Sequence, residues 1–135
     1  MRMLKAGLAA TVMAFAPMTA QAQFNSAAEV KPILQMIIPQ WVSLREYDGQ
    51  DLLYFTLLEV YRCGLEQIRY RINGEKPRIW QADPCEDDVT FKEIDENRLP
   101  YAEFPLQSVD EVIIELIYDD GTTQVETFPR ASILQ

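Results

Sequence analysis

Three arginines, Arg69, Arg71 and Arg78, gather around one Asn73-Gly74 turn in a chain that has 12 basic and 21 acidic residues. A guanidinium presents a planar fork of donors that matches carboxylate or phosphate oxygens, so two on one surface could clamp a small anion or an acidic group of another protein. Arg69 and Arg71 are two residues apart, which places both on the same side of a strand. These three are the candidate binding residues, with Arg62 close by in sequence. The plainer expectation for such a face is pairing with local acids.

The densest run of opposite charge is Asp83, Glu86, Asp87, Asp88, Glu93, Asp95 and Glu96. Oxygen ligands in an irregular loop suit calcium, but the D-x-D-x-D-G order of a recognised loop is missing, so a solvated segment is expected and no metal ligand is assigned. Two of these carboxylates could instead act as the acid and base of a glycosidase-like hydrolase. Few aromatics stand nearby to hold a sugar, and no residue is assigned a catalytic role. The chain has no histidine, which removes Ser-His-Asp and Cys-His chemistry and the commonest transition-metal ligand. No cofactor is expected.

Residues 1–22 read as a cleaved export signal. Met1-Arg2-Met3-Leu4-Lys5 supplies a positive head, Ala6 to Ala16 an apolar run, and Ala20-Gln21-Ala22 a small-residue cleavage site. The run falls short of the roughly 20 residues needed to span a bilayer, and no lipid-anchoring cysteine follows it. Cleavage after Ala22 would leave residues 23–135 as one periplasmic domain. It would also remove Arg2 and Lys5 and no acid, taking the net charge from −9 to about −11. Such a surface is unsuited to nucleic acid or anionic lipid. An oxidising compartment turns the two cysteines, Cys63 and Cys85, into an expected disulfide.

The elements that position these groups are mostly strands. Ser26-Ala27-Ala28-Glu29 has capping-box spacing, with apolar residues following at Val30, Ile33, Leu34, Met36, Ile37 and Ile38, which predicts one short N-terminal helix. Pro32 should sit near its beginning and Pro39 near its end, with Met36, Ile37 and Ile38 packed in the core. Trp41 to Tyr47 alternates, Asp48-Gly49 turns the chain, and Leu52 to Arg62, apolar on both faces at first, is the expected central strand.

Glu66 to Ile72 alternates Ile68, Tyr70 and Ile72 inward against Gln67, Arg69 and Arg71 outward, returning through Lys76 to Gln81. A three-residue Asn73-Gly74-Glu75 loop sets Ile68 opposite Trp80, and the same register brings Cys63 opposite Cys85. Alternation alone would leave the cysteines on the arginine face, so either Gly64 hosts a bulge or the bridge lies beyond the ladder. A strand is expected near Tyr101 to Phe104, then a third hairpin from Val112 to Phe128 around Asp119-Asp120-Gly121. The whole reads as a mainly β fold: an antiparallel β-sandwich or curled sheet of about six to seven strands, with the helix closing one open side.

The stretches Arg45-Glu46-Tyr47-Asp48-Gly49-Gln50-Asp51-Leu52-Leu53-Tyr54-Phe55-Thr56, Arg62-Cys63-Gly64-Leu65 and Tyr118-Asp119-Asp120-Gly121-Thr122-Thr123 together resemble small exported bacterial proteins that carry no assigned function. The resemblance implies export to a Gram-negative periplasm and transfers no catalytic residue. The expected role is a non-catalytic binding or accessory domain that meets an unidentified periplasmic protein or a small anionic ligand. The alternatives are a carboxylate hydrolase acting through residues 83–96 and an acidic inhibitor of a cationic enzyme.

Overall fold

Each of the first two hairpins turns on an Asx-Gly pair. Asp48 and Gly49 have φ of 52° and 74°, and Asn73 and Gly74 have 52° and 73°. Asn and Asp tolerate this left-handed region and glycine enters it without a Cβ penalty, so both turns match the right-handed twist of the strands they join. The computed structural model describes residues 7–14, 25–85 and 97–135. Residues 7–14 have no regular secondary structure, and the expected cleavage point after Ala22 lies outside the described residues.

The Asp48-Gly49 turn joins β1 (Ser43–Tyr47) to β2 (Gln50–Tyr54), and β5 (Tyr101–Pro105) pairs along the other side of β2. The second sheet is built on β3 (Leu65–Ile72), β4 (Arg78–Trp80), β6 (Glu111–Tyr118) and β7 (Thr123–Pro129), ordered β4-β3-β6-β7. All pairings between these strands are antiparallel, and Ile68 faces Trp80 as the three-residue loop requires. The fold is therefore mainly β, with two sheets of three and four strands and three short helices.

One hydrophobic cluster draws on both sheets. Leu44, Leu53 and Phe55 come from the first sheet and its exit, Ile68, Tyr70, Ile72, Ile114, Leu116 and Phe128 from the second. Helix α1 (Ala27–Met36) adds Ala27, Val30 and Leu34, a stripe three and four residues apart. Full burial of one such aliphatic side chain contributes about 1.5–3 kcal/mol. Trp41 is fully buried and donates its indole N–H to the Leu34 carbonyl at 2.8 Å, tying the helix end to the start of β1.

Four expectations change. The strand proposed from Leu52 to Arg62 stops at Tyr54; helix α2 (Thr56–Val60) and a 3-10 turn (Arg62–Gly64) replace its second half. Phe55, Leu58, Glu59 and Arg62 all face inward there, a helical spacing that an apolar run conceals. Met36 is 82% exposed rather than core, because two residues on from Leu34 carry it about half a turn round the helix. Pro32 lies inside α1, not in its first turn. Ser26 and Glu29 do not cap the backbone: Ser26 Oγ donates to Glu29 Oε1 at 3.1 Å instead.

Long-range clamps hold the irregular segments. Asp51, fully buried at the inner end of β2, accepts the N–H groups of Gln107 (2.9 Å) and Val109 (3.0 Å) and pairs with Arg130 at 2.6 Å. Arg130 opens the third helix, α3 (Arg130–Ile133), so one carboxylate fixes both the β5–β6 connection and the chain beyond β7. Asn73 clips the same connection from the other sheet, accepting N–H groups from Asp110 (2.8 Å) and Glu111 (3.0 Å) and donating to the Ser108 carbonyl (2.6 Å).

Candidate functional site

Strand β3 carries Arg69 and Arg71 on the face turned away from the core, since Ile68, Tyr70 and Ile72 between them are buried. Across the ladder on β6 their neighbours are Glu115 and Ile113. Arg69 Nη1 reaches Glu115 Oε1 at 3.4 Å, and Arg71 is exposed with no ion pair to any described residue. Together with Pro77, these four side chains border a shallow depression.

Arg78 is not with them. It stands opposite Tyr70, and opposed residues in an antiparallel pair share a face, so its guanidinium lies on the core side over the Phe104 ring at 5.5 Å. A 3.4 Å contact joins it to Glu75. The hairpin thus brings Arg69 and Arg71 together and separates Arg78 from them.

The disulfide joins Cys63 to Cys85 with 5.2 Å between Cα atoms. β4 ends at Trp80 and Cys63 belongs to the 3-10 turn before β3, so the bridge lies beyond the ladder rather than on a bulge within it. Between the last ladder pair and the bridge, the two chains enclose a cleft of about 280 Å³. Arg62, Leu65, Gln67, Trp80 and Asp83 are among its walls.

Behind that cleft is a buried carboxylate that sequence reasoning missed. Glu59 is fully buried and accepts the Trp80 indole N–H (2.7 Å) and Arg98 Nη1 (2.7 Å) on Oε1, and the Asp83 N–H (3.3 Å) on Oε2. Arg62, also buried, donates to the Glu59 carbonyl (2.7 Å) and the Asp83 carbonyl (2.8 Å). Arg98 also meets Asp83 at 3.2 Å. The available signal was Glu59 interrupting an apolar run three residues before Arg62, about one helical turn, which lets the Arg62 guanidinium reach the Glu59 main-chain carbonyl.

This group is a structural junction. Both Glu59 oxygens are engaged, and no buried side-chain polar atom among the described residues lacks a partner. Such saturation suits a carboxylate that orders its neighbours. Of the acids grouped in the sequence, Asp83 is held here and residues 86–96 lie outside the described residues. No group of three or more His, Cys, Asp or Glu side chains among the described residues is arranged to hold a metal.

Two other acids are strongly tuned. The Arg130 guanidinium, helped by the Val109 and Gln107 N–H groups, lowers Asp51 to about 2 against the opposing effect of burial. Asp120 is also lowered to about 2, by the Thr122 hydroxyl first and then Lys31. Tyr118 is pushed up to about 12 by burial, with Asp120 and Glu126 adding to the effect. Asp51 is tuned by a contact that joins elements of the fold, Asp120 first by its own turn and then by Lys31 of α1, and Tyr118 by its burial.

The aromatic side chains are mainly structural. Trp80 stacks on Phe55 with centroids 4.2 Å apart and planes 12° from parallel, and Tyr54 meets Tyr101 at 5.1 Å. Among the described residues Tyr47 is the exposed aromatic, with the Arg45 guanidinium 4.4 Å over its ring. Among the described residues no helix is long and apolar enough to cross a membrane. No family model matches the chain, and no curated protein or solved structure shows significant similarity to it.

Proposed function

We propose that this protein is an exported, non-catalytic binding domain of sandwich form, working in the periplasm and holding another protein or a small anionic ligand on the Arg69/Arg71 face. Arg71 carries the argument: its guanidinium is exposed and unpaired among the described residues, on a chain with net charge −9. An unpaired guanidinium keeps its donors open to a ligand, and its planar fork favours carboxylate or phosphate.

Arg69 is available by exchange. Its 3.4 Å contact with Glu115 is longer than the roughly 2.7–2.9 Å of a strong charge-assisted bond, and partly exposed pairs of this kind contribute little to folding. An incoming oxyanion can displace Glu115 without unbuilding the sheet. Ile113 and Pro77 beside the guanidiniums supply apolar contact for the rest of a ligand. The disulfide fits an oxidising compartment, and the pattern of residues 1–22 supports export.

The test is Arg69→Ala combined with Arg71→Ala, followed by capture from periplasmic extract at low and high salt. The melting temperature should stay nearly unchanged while salt-sensitive capture of the wild-type partner is lost. Capture that survives both substitutions would show that the face is not the binding surface.

A further inference from the structure

Strand β7 ends the four-stranded sheet, and its outer edge is paired with nothing among the described residues. The direction of its main-chain groups follows from the bonds at its two ends. The Tyr118 N–H donates to the Thr122 carbonyl (2.8 Å), and the Arg130 N–H donates to the Asp110 carbonyl (2.8 Å). Both pairs continue the β6–β7 register, so residues in step with them, Gln124, Glu126 and Phe128, turn their main chain toward β6. Thr123, Val125 and Thr127 therefore turn their N–H and C=O groups to the open edge. All three are exposed.

The other strand edges differ. The outer edge of β1 is closed by the chain's own end, through a Leu44–Leu134 bridge and a Gln135 N–H bond to the Leu44 carbonyl at 2.8 Å. β4 has only three residues, and β5 carries Pro105 at its end. β7 is seven residues long, is β-branched at each outward position, and has no lysine or proline before Pro129. Such an edge is a template for another strand unless something blunts it.

The geometry points to a second copy of this chain as that strand, with β7 pairing antiparallel to β7 of the other copy about a two-fold axis at Val125. In this register Val125 faces Val125, Thr123 faces Thr127, and Gln124 faces Glu126. All three outward positions are used, giving six main-chain bonds, and the ladder stops at Pro129, which has no N–H to offer. The charge pattern is self-complementary: each Glu126 carboxylate meets an amide rather than another acid. Gln124 Nε2 already donates to Glu126 Oε1 of its own strand at 3.2 Å, so the four side chains can close into one network. Centring on Thr127 would instead place Val125 against Pro129, and centring on Thr123 would run the ladder into the Gly121 turn. The product is a continuous eight-stranded sheet.

Sedimentation velocity over a concentration series at low and high salt tests this, together with amide hydrogen exchange. Dimer should form more readily at high salt, because two acidic copies repel. The Thr123, Val125 and Thr127 amides should exchange fast in dilute protein and become protected as dimer forms. Val125→Pro removes an N–H that the monomer does not use, so dimerisation should weaken at least tenfold with the fold retained. Val125→Lys sets two ammonium groups together at the axis and should act alike if the proline variant fails to fold. A wild-type protein that stays monomeric at high salt, or a dimer that survives Val125→Lys or protects none of the three amides, overturns the proposal.

Discussion

Asp119 caps a helix that lies 92 residues away in sequence: its Oδ1 accepts the Ala27 N–H at 2.7 Å. The β6–β7 turn thus serves as the N-terminal cap of α1, and Lys31 reinforces the contact by donating to Asp120 at 2.9 Å and to the Thr122 hydroxyl at 2.6 Å. Asp119→Ala should destabilise the fold by about 1 kcal/mol, the usual cost of a lost cap, in urea unfolding. Ser26→Ala, at the position the sequence nominates, should change stability by less than about 0.5 kcal/mol. The opposite ranking would return the capping role to Ser26.

Gly64 marks where α1 meets the turn before β3. A Cβ at this position would collide with Val30 Cγ2 and stand 2.8 Å from the Ser26 carbonyl oxygen. Gly64→Ala should therefore cost about 1–3 kcal/mol, as overpacking does. Val30→Ala in the same chain should recover only part of that loss, because the Ser26 oxygen belongs to the backbone and cannot swing aside. A double-mutant cycle measures this, and full additivity would mean the two sites do not touch.

The Asp51–Arg130 pair should govern acid stability. Asp51 is lowered from 3.8 to about 2, chiefly by Arg130, so its contribution is complete above about pH 4 and is lost as pH falls through 2. Replacing Arg130 with Met leaves a buried carboxylate with two backbone donors and no counter-charge. The variant should lose about 3 kcal/mol at neutral pH, and its remaining stability should respond to acid at a higher pH than the wild type. Urea titrations between pH 2 and 7 read both effects. Identical acid profiles would show that the Asp51–Arg130 pair does not govern acid stability.

Local chemistry in the sequence foretold the hairpins well. Asp48-Gly49 and Asn73-Gly74 announce their turns, and the alternation of Ile68, Tyr70 and Ile72 with Arg69 and Arg71 fixes which face carries the arginines. Once the Asn73 loop length is set, the pairing of Ile68 with Trp80 follows, and the bridge from Cys63 to Cys85, expected from there being only two cysteines, lies just beyond that ladder. The misreading of Leu52 to Arg62 arises because Leu57 and Leu58 continue an apolar run into a helix; a buried strand and a short buried helix look alike at that length. Met36 misleads because apolar type does not fix helical phase. Glu59 and Asp51 escape notice because what satisfies them, Arg98 and Arg130, comes from 39 and 79 residues further along. The face carrying Arg69 and Arg71 was legible, whereas the position of Arg78 depended on pairing parity.

The sequence distances of these contacts give them unequal closure costs. The bond between Ala27 and Asp119 closes 92 residues and that between Asp51 and Arg130 closes 79, while Cys63 and Cys85 are 22 apart across one turn. Distant closures carry the larger entropic cost and slow the search for the native state, whereas the Asn73-Gly74 hairpin can form by itself. Oxidation of the cysteines limits that hairpin to a loop of 22 residues, which restricts the unfolded chain around the Asn73-Gly74 turn whether or not either long clamp is closed.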